Sequence, residues 1–298
     1  MINSRTDNRA IGVFDSGIGG LTVAAEISRL LPQEKIVYLG DLLHLPYGSK
    51  SVQAVLAFSK AAAGFLMSRN IKLLVIACNT ATSIAKNEIE RMINIPVIGV
   101  IGPGSRMACK ATRNKRVGVI GTTRTISSNA YITEIQLIDP GTTVFQKPTP
   151  LLVPLIEEGW IGHPVLHMVV KEYLKFFSGK NIDTIVLGCT HYPLIKDEIG
   201  DALEGLFIVD SASTTAEMVQ STLENEELQA EVNPGIRGGV SAGKEGEVEV
   251  APDNFEIYLT DHAHNFSKIA KMLIKKGIDD VGIVKLDYSR GRLNYNTD

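Results

Sequence analysis

No apolar run in this sequence reaches the about 20 residues needed to cross a bilayer, and its first ten residues are polar, without the apolar stretch of a secretion signal. A cytoplasmic, soluble protein is the expectation. Neither sign of charge dominates: 30 Lys and Arg stand against 33 Asp and Glu, a formal net charge of −3. That balance favours neither a nucleic-acid partner nor a basic patch for a membrane surface. Cysteine is scarce, at three residues. An odd number in a reducing compartment does not make a disulfide framework, so each thiol needs another explanation. A dinucleotide fingerprint is missing too. Asp15-Ser16-Gly17-Ile18-Gly19-Gly20-Leu21 is glycine-rich, but it lacks the G-x-G-x-x-G spacing and the lysine of a P-loop.

What is present is an alternation of short apolar runs with helix-like spacing. Strands are predicted over residues 11–14, 35–39, 73–76, 97–100, 117–120, 184–187 and 207–209, and helices over 21–31, 51–69, 82–93, 164–177 and 212–223. The strands are β-branched and lack polar alternation, as in parallel strands covered on both faces. With 298 residues, 44% of them hydrophobic, the chain has enough material for two cores. Residues 224–253 are acidic, with little apolar periodicity, and read as a surface insertion or mobile loop; residues 255–259 and 265–276 return to strand and helix patterns.

The chain also resembles itself. Ile11-Gly12-Val13-Phe14-Asp15-Ser16-Gly17 is echoed by Val117-Gly118-Val119-Ile120-Gly121-Thr122-Thr123, and Cys78 is echoed by Cys189 at a similar offset. The expected fold is therefore α/β: two similar doubly wound domains with mainly parallel sheets, facing each other across a central cleft. The first domain is expected to be discontinuous, residues 1–98 plus 211–298, and the second to be 99–210.

Two stretches carry the chemistry. Ala77-Cys78-Asn79-Thr80-Ala81-Thr82 and Gly188-Cys189-Thr190-His191-Tyr192-Pro193 each follow a predicted buried strand and precede a helical pattern. Both sulfurs are thus expected at the carboxyl edge of a parallel sheet, where ligands bind, beside helix amino termini that favour thiolates and anionic substrates. His191, close to Cys189, is placed to exchange a proton with it, and Asp15 is the mirror candidate beside Cys78. The turn Pro46-Tyr47-Gly48-Ser49-Lys50-Ser51 offers amides for a carboxylate. Cys109, in the polar run 104–116, is given no role, and His262 and His264 are read as a solvated helix start rather than metal ligands.

Together, Val13-Phe14-Asp15-Ser16-Gly17-Ile18-Gly19-Gly20, Gly40-Asp41, Pro46-Tyr47-Gly48, the two cysteine motifs and Gly121-Thr122 resemble glutamate racemase, a family of the aspartate/glutamate racemase superfamily. The resemblance runs from about residue 11 to residue 212. It implies a cofactor-independent isomerase, expected to be a homodimer, that makes D-glutamate for peptidoglycan. It also implies Cys78 and Cys189 as the two bases, with Asp15, Ser16, Pro46, Tyr47, Gly48, Asn79, Thr80, Thr122, Thr190 and His191 around glutamate and Glu157 as a further acid near His191. Thr149 departs from the family, which often has cysteine there. The acidic stretch 224–249 matches no family motif.

The residues alone support the same chemistry, because inverting an α-carbon requires a proton-transfer group on each face. Two other classes stay open from the sequence. A hydrolase or amidotransferase would use Cys189 with His191 and need only one thiol; a bilobal binding protein would hold an acidic ligand and need neither. Aspartate is the alternative substrate within the superfamily.

Overall fold

Among the described residues, ten parallel strands in two sheets organise the chain. The computed structural model describes residues 6–231, 254–262, 270, 281–286 and 295–296. The first sheet is built from β1 (Ile11–Asp15), β2 (Ile36–Gly40), β3 (Leu73–Ile76) and β4 (Val97–Gly99). The second contains β5 (Arg116–Gly121), β6 (Thr143–Pro148), β7 (Thr184–Gly188) and β8 (Phe207–Asp210). The chain then returns to the first sheet through β9 (Phe255–Leu259) and β10 (Val281–Ile283). The strand orders are β10-β9-β2-β1-β3-β4 and β6-β5-β7-β8, and every pairing within them is parallel. A short antiparallel pair, β11 (Lys285–Leu286) with β12 (Tyr295–Asn296), stands apart. The expected α/β class with two parallel sheets is observed.

Parallel neighbours require crossovers, and among the described residues these contain helices. In the first half they are α1 (Leu21–Leu30), α2 (Val52–Ser68) and α3 (Asn79–Glu90). Next come α4 (Ile101–Ala111), α5 (Thr123–Ser127), α6 (Ala130–Ile138), α7 (Leu152–Glu157), α8 (Pro164–Leu174) and α9 (Lys196–Ala202). Last is α10 (Ser211–Asn225). Local sequence explains several starts. Ser51 accepts from the Ala54 amide to cap α2, Asp210 accepts from the Ala212 and Ser213 amides to cap α10, and Pro164 opens α8. After β8, α10 packs Ala212, Ala216, Val219 and Leu223 into the cluster that holds Leu21, Val23, Ala24 and Ile27 of α1. The chain thus re-enters the first core immediately after leaving the second sheet.

Several elements differ from the sequence reading, which also left out α5, α6, α7 and α9. Residues 104–116 are not simply a polar run: α4 forms because Ile101, Pro103, Gly104, Ser105 and Ala108 bury one face. Helix α3 begins at Asn79, three residues early, because Cys78 itself is the cap. Strand β6 was not foreseen; it is an edge strand, half-buried, and its Gln146, Lys147 and Pro148 hide the usual β pattern. Most of the acidic stretch 224–253 and of the 265–276 helix, together with His264, lies outside the described residues.

At the opposite end of the first sheet, Lys72 and Glu34 form a fully buried ion pair, 2.6 Å apart. Lys72 also donates to the Asp7 carbonyl and Glu34 accepts from the Ala230 amide, so the pair ties the segments around residues 7 and 230 to the start of β3. Removing one partner leaves an uncompensated buried charge. Lys72→Met is expected to lower the unfolding free energy by about 3–5 kcal/mol in urea denaturation, with most of it recovered by adding Glu34→Gln. A loss below about 1 kcal/mol would show that the pair is dispensable.

Candidate active site

The carboxyl ends of six strands converge on one cavity of about 350 Å³ lined by both halves of the chain. Strand β1 delivers Asp15 and Ser16; its register with β2 and β3 sets these beside Gly40 and next to the end of Ile76. Strand β3 delivers Cys78, whose sulfur donates to Ser16 Oγ at 3.5 Å and accepts from the Ala81 amide at 3.4 Å. From the other sheet, β5 and β7 end side by side at Gly121 and Gly188, and Cys189 follows. Both cysteines line the cavity and both are nearly buried, at 5% and 6% exposure.

Asp15 is wholly buried. Its Oδ2 accepts from the amides of Gly17 and Gly20, at 3.1 and 3.0 Å, which folds the glycine-rich turn back over the strand end. This turn reaches the second half: a methyl group on Gly19 would sit 2.4 Å from His191 Nδ1 and 2.6 Å from Thr190 Oγ1, so only glycine permits the approach. Thr22 seals the junction by donating to the Thr190 carbonyl at 3.0 Å.

The other walls carry hydroxyls set among apolar side chains such as Leu45, Pro150 and Val153. Thr80 of the first half meets Thr122 and Thr125 of the second, at 3.0 and 3.2 Å. Pro46, Tyr47 and Gly48 line the cavity from the loop after β2, and the Leu45–Pro46 peptide is cis. The Tyr47 hydroxyl donates to Asp41 at 2.6 Å, and Asp41 also accepts from Thr260 at 2.8 Å, so this loop is held against the end of β9. Of the residues singled out from sequence, Ser16, Pro46, Tyr47, Gly48, Cys78, Asn79, Thr80, Thr122, Cys189, Thr190 and His191 all line the cavity. Asp15 stands behind Ser16, and Glu157 stands behind His191, 3.0 Å from Nε2.

The family described as Asp/Glu/Hydantoin racemase matches residues 12–219. This chain belongs to that family. It is 49% identical to glutamate racemase of Geobacter metallireducens over 221 residues, 74% of this chain and 82% of that one. It is 42% identical to glutamate racemase of Persephonella marina over 281 residues, covering 94% and 98% of the two chains. Its fold is similar to the crystal structure of glutamate racemase from Francisella tularensis in complex with D-glutamate, with a TM-score of 0.82 and 37% identity over 94% of this chain and 99% of that one.

The two thiols of this racemase-family chain have unlike surroundings. At Cys189 the sulfur lies 3.7 Å from His191 Nδ1, and the far nitrogen of that ring meets Glu157. Burial opposes a charged imidazole, but the hydrogen bonds to Cys189 and Glu157 outweigh it and carry the His191 pKa well above its ordinary value. At Cys78 burial dominates. Together with the Asp15 carboxylate it pushes the thiol up to about 12, against smaller opposing effects of Ser16 and the Ala81 amide. The helix terminus at Cys78 therefore does not produce the lowered pKa expected of it. Cys189 is followed by a 3₁₀ turn, Tyr192–Ile195, rather than directly by an α-helix. Burial also raises the Asp15 pKa, against His191 and the turn amides, and its Oδ1 has no hydrogen-bond partner among the described residues.

Several wall residues escaped the sequence reading. Arg124 lines the cavity and donates from Nε and Nη2 to the Lys50 carbonyl, at 3.1 and 2.9 Å, bridging the halves. Its place directly after Gly121-Thr122-Thr123 was the available signal. Thr149, noted for its departure from the family, lines the cavity and shares a 2.6 Å hydrogen bond with Tyr192. Cys109 is half-buried on α4, 3.7 Å from the Ile135 carbonyl, and does not line the cavity. No three His, Cys, Asp or Glu side chains among the described residues are grouped to hold a metal ion. A thiol titrating near 12 stays protonated at neutral pH. In a Cys109→Ala/Cys189→Ala variant, alkylation of Cys78 by iodoacetamide is expected to quicken about tenfold per pH unit between about pH 7 and about pH 10. A plateau within that range would contradict this environment.

Proposed function

We propose that this chain interconverts L-glutamate and D-glutamate by passing the α-proton between two thiols, and so supplies D-glutamate for peptidoglycan. The observation that carries this reading is the placement of Cys78 and Cys189, from different sheets, on the wall of one cavity. A planar carbanion held between them has one sulfur for each face. One thiolate removes the α-hydrogen, the electron pair remains on carbon, and the opposite thiol delivers its own proton, leaving the sulfurs with exchanged protonation states.

The surroundings support complementary roles. Cys189 is assigned to L-glutamate: a thiolate formed there has the His191–Glu157 pair as a cationic donor. Cys78 is assigned to D-glutamate, and a thiolate there has the donors of Ser16 and the Ala81 amide. The cost of ionising the buried Cys78 is offset when substrate brings its ammonium group, because a nearby cation favours the thiolate. Ser16, Pro46, Tyr47, Gly48, Asn79, Thr80, Thr122 and Thr190 form the proposed binding wall, with Asp15 and His191 assisting their respective sulfurs and Glu157 acting through His191. Hydroxyl and amide donors fixed in a mostly closed site stabilise charge that water would otherwise solvate.

The same proposal divides the chain into residues 1–98 plus 211–298 and residues 99–210. The return of α10, β9 and β10 to the first core supports this division. A cytoplasmic location is carried over from the sequence reading and a homodimer from the family resemblance. Among the described residues no helix is long and apolar enough to cross a membrane. A nucleophilic-thiol reading would use Cys189, His191 and Glu157 but would leave Cys78 idle. Polarimetry or circular dichroism of L- and D-glutamate separates the two. Cys78→Ala and Cys189→Ala are each expected to lower kcat by at least about 10³-fold with the fold intact, while Cys109→Ala changes it less than about twofold. Near-native turnover in either single variant would defeat the two-thiol mechanism.

A further inference from the structure

Tyr131 contributes no surface to the cavity, yet it touches the segments beside both cysteines. Its side chain is wholly buried on α6. The hydroxyl donates to Asn79 Oδ1 at 2.7 Å, across from the second half to the residue that follows Cys78. The ring lies against Gly188, which precedes Cys189: a methyl group there would come within 3.1 Å of Tyr131 Cε2. Asn79 is itself only 2% exposed and lines the cavity. With Oδ1 occupied, its Nδ2 is left buried and has no hydrogen-bond partner among the described residues.

We infer that Tyr131 is a positioning residue, which occupies the Asn79 oxygen and so leaves the amide's Nδ2 donor as the group available to the substrate carboxylate. The argument rests on the reading of the cavity as a glutamate site. A terminal amide rotated by half a turn presents an acceptor in place of a donor, and an acceptor repels a carboxylate. Tyr131 selects between the two. Its hydroxyl has no other acceptor among the described residues, so donation to Oδ1 is the arrangement that uses both groups. Burial, with a smaller contribution from Cys189, raises the pKa of this hydroxyl, so it remains a donor at any pH where the protein works. Because α6 belongs to the second half and α3 to the first, the bond also joins the two halves.

The test is a double-mutant cycle. Tyr131→Phe keeps the ring against Gly188 and removes only the hydroxyl. It is expected to lower kcat/KM about tenfold, mainly through a higher KM, while the melting temperature falls by only a few degrees. Since the equilibrium constant of a racemisation is one, this loss must be equal in both directions. Asn79→Ala should lower kcat/KM at least as much, and Tyr131→Phe/Asn79→Ala should be no worse than Asn79→Ala alone, because Tyr131 acts only through Asn79. Asn79→Asp, which leaves Tyr131 in place and puts an oxygen where Nδ2 stood, should raise the KM for glutamate at least as far. A Tyr131→Phe enzyme within twofold of the parent, multiplying losses in the double variant, or an unchanged KM in Asn79→Asp would each overturn the inference. A parent protein that fails to racemise glutamate would instead remove the reading of the site. Normal parent activity with an indifferent Tyr131→Phe removes the positioning role alone.

Discussion

The meeting of two parallel sheets at their carboxyl edges is the constraint on which this structure depends. Parallel strands all end on the same side, so each sheet delivers several loops to one edge. Here the two edges confront one another, and Cys78 and Cys189 line the same cavity while coming from separate cores. The contacts that hold this meeting are short and polar: Thr80 with Thr122 and Thr125, Thr22 with the Thr190 carbonyl, Arg124 with the Lys50 carbonyl, and Tyr131 with Asn79.

Enclosure sets the electrostatics. Burial raises the cost of every charge in the cavity, as the Cys78 thiol near 12 and the raised Asp15 pKa show. The same desolvation strengthens whatever donors remain. The amides, hydroxyls and the His191–Glu157 pair are held in fixed orientations by the hydrogen bonds around the cavity. The two sulfurs are equivalent in topology but not in surroundings: one is backed by hydroxyl and amide donors beside a carboxylate, the other by a buried imidazole and glutamate.

Much of this was legible in the sequence because it is local. The β-branched run at 73–76 and the following Cys78-Asn79-Thr80 gave the strand, its end and the helix start to within three residues. The internal echo between residues 11–17 and 117–123 gave two halves. What could not be read was long-range or disguised. Strand β6 is an edge strand whose polar residues mask its pattern, and α4 hides its apolar face among glycine, serine and basic residues. Tyr131 and Arg124 matter through partners in the other half, which no local spacing encodes. The Cys78 environment was misjudged for a related reason: a helix terminus is visible in sequence, whereas full burial beside Asp15 is a property of the assembled cavity.

The central claim is that separate sulfurs serve the two faces of the α-carbon, and solvent isotope tests it most directly. Dialysed protein in heavy water, with nothing added but L-glutamate, should form D-glutamate carrying deuterium at the α-carbon, because the delivering thiol has already exchanged with solvent. Early in the reaction the remaining L-glutamate should stay largely unlabelled, since the sulfur on its own face has captured the substrate hydrogen and not donated a deuteron. Early transfer of substrate hydrogen into the product would mean one group serving both faces, and would contradict the two-thiol account.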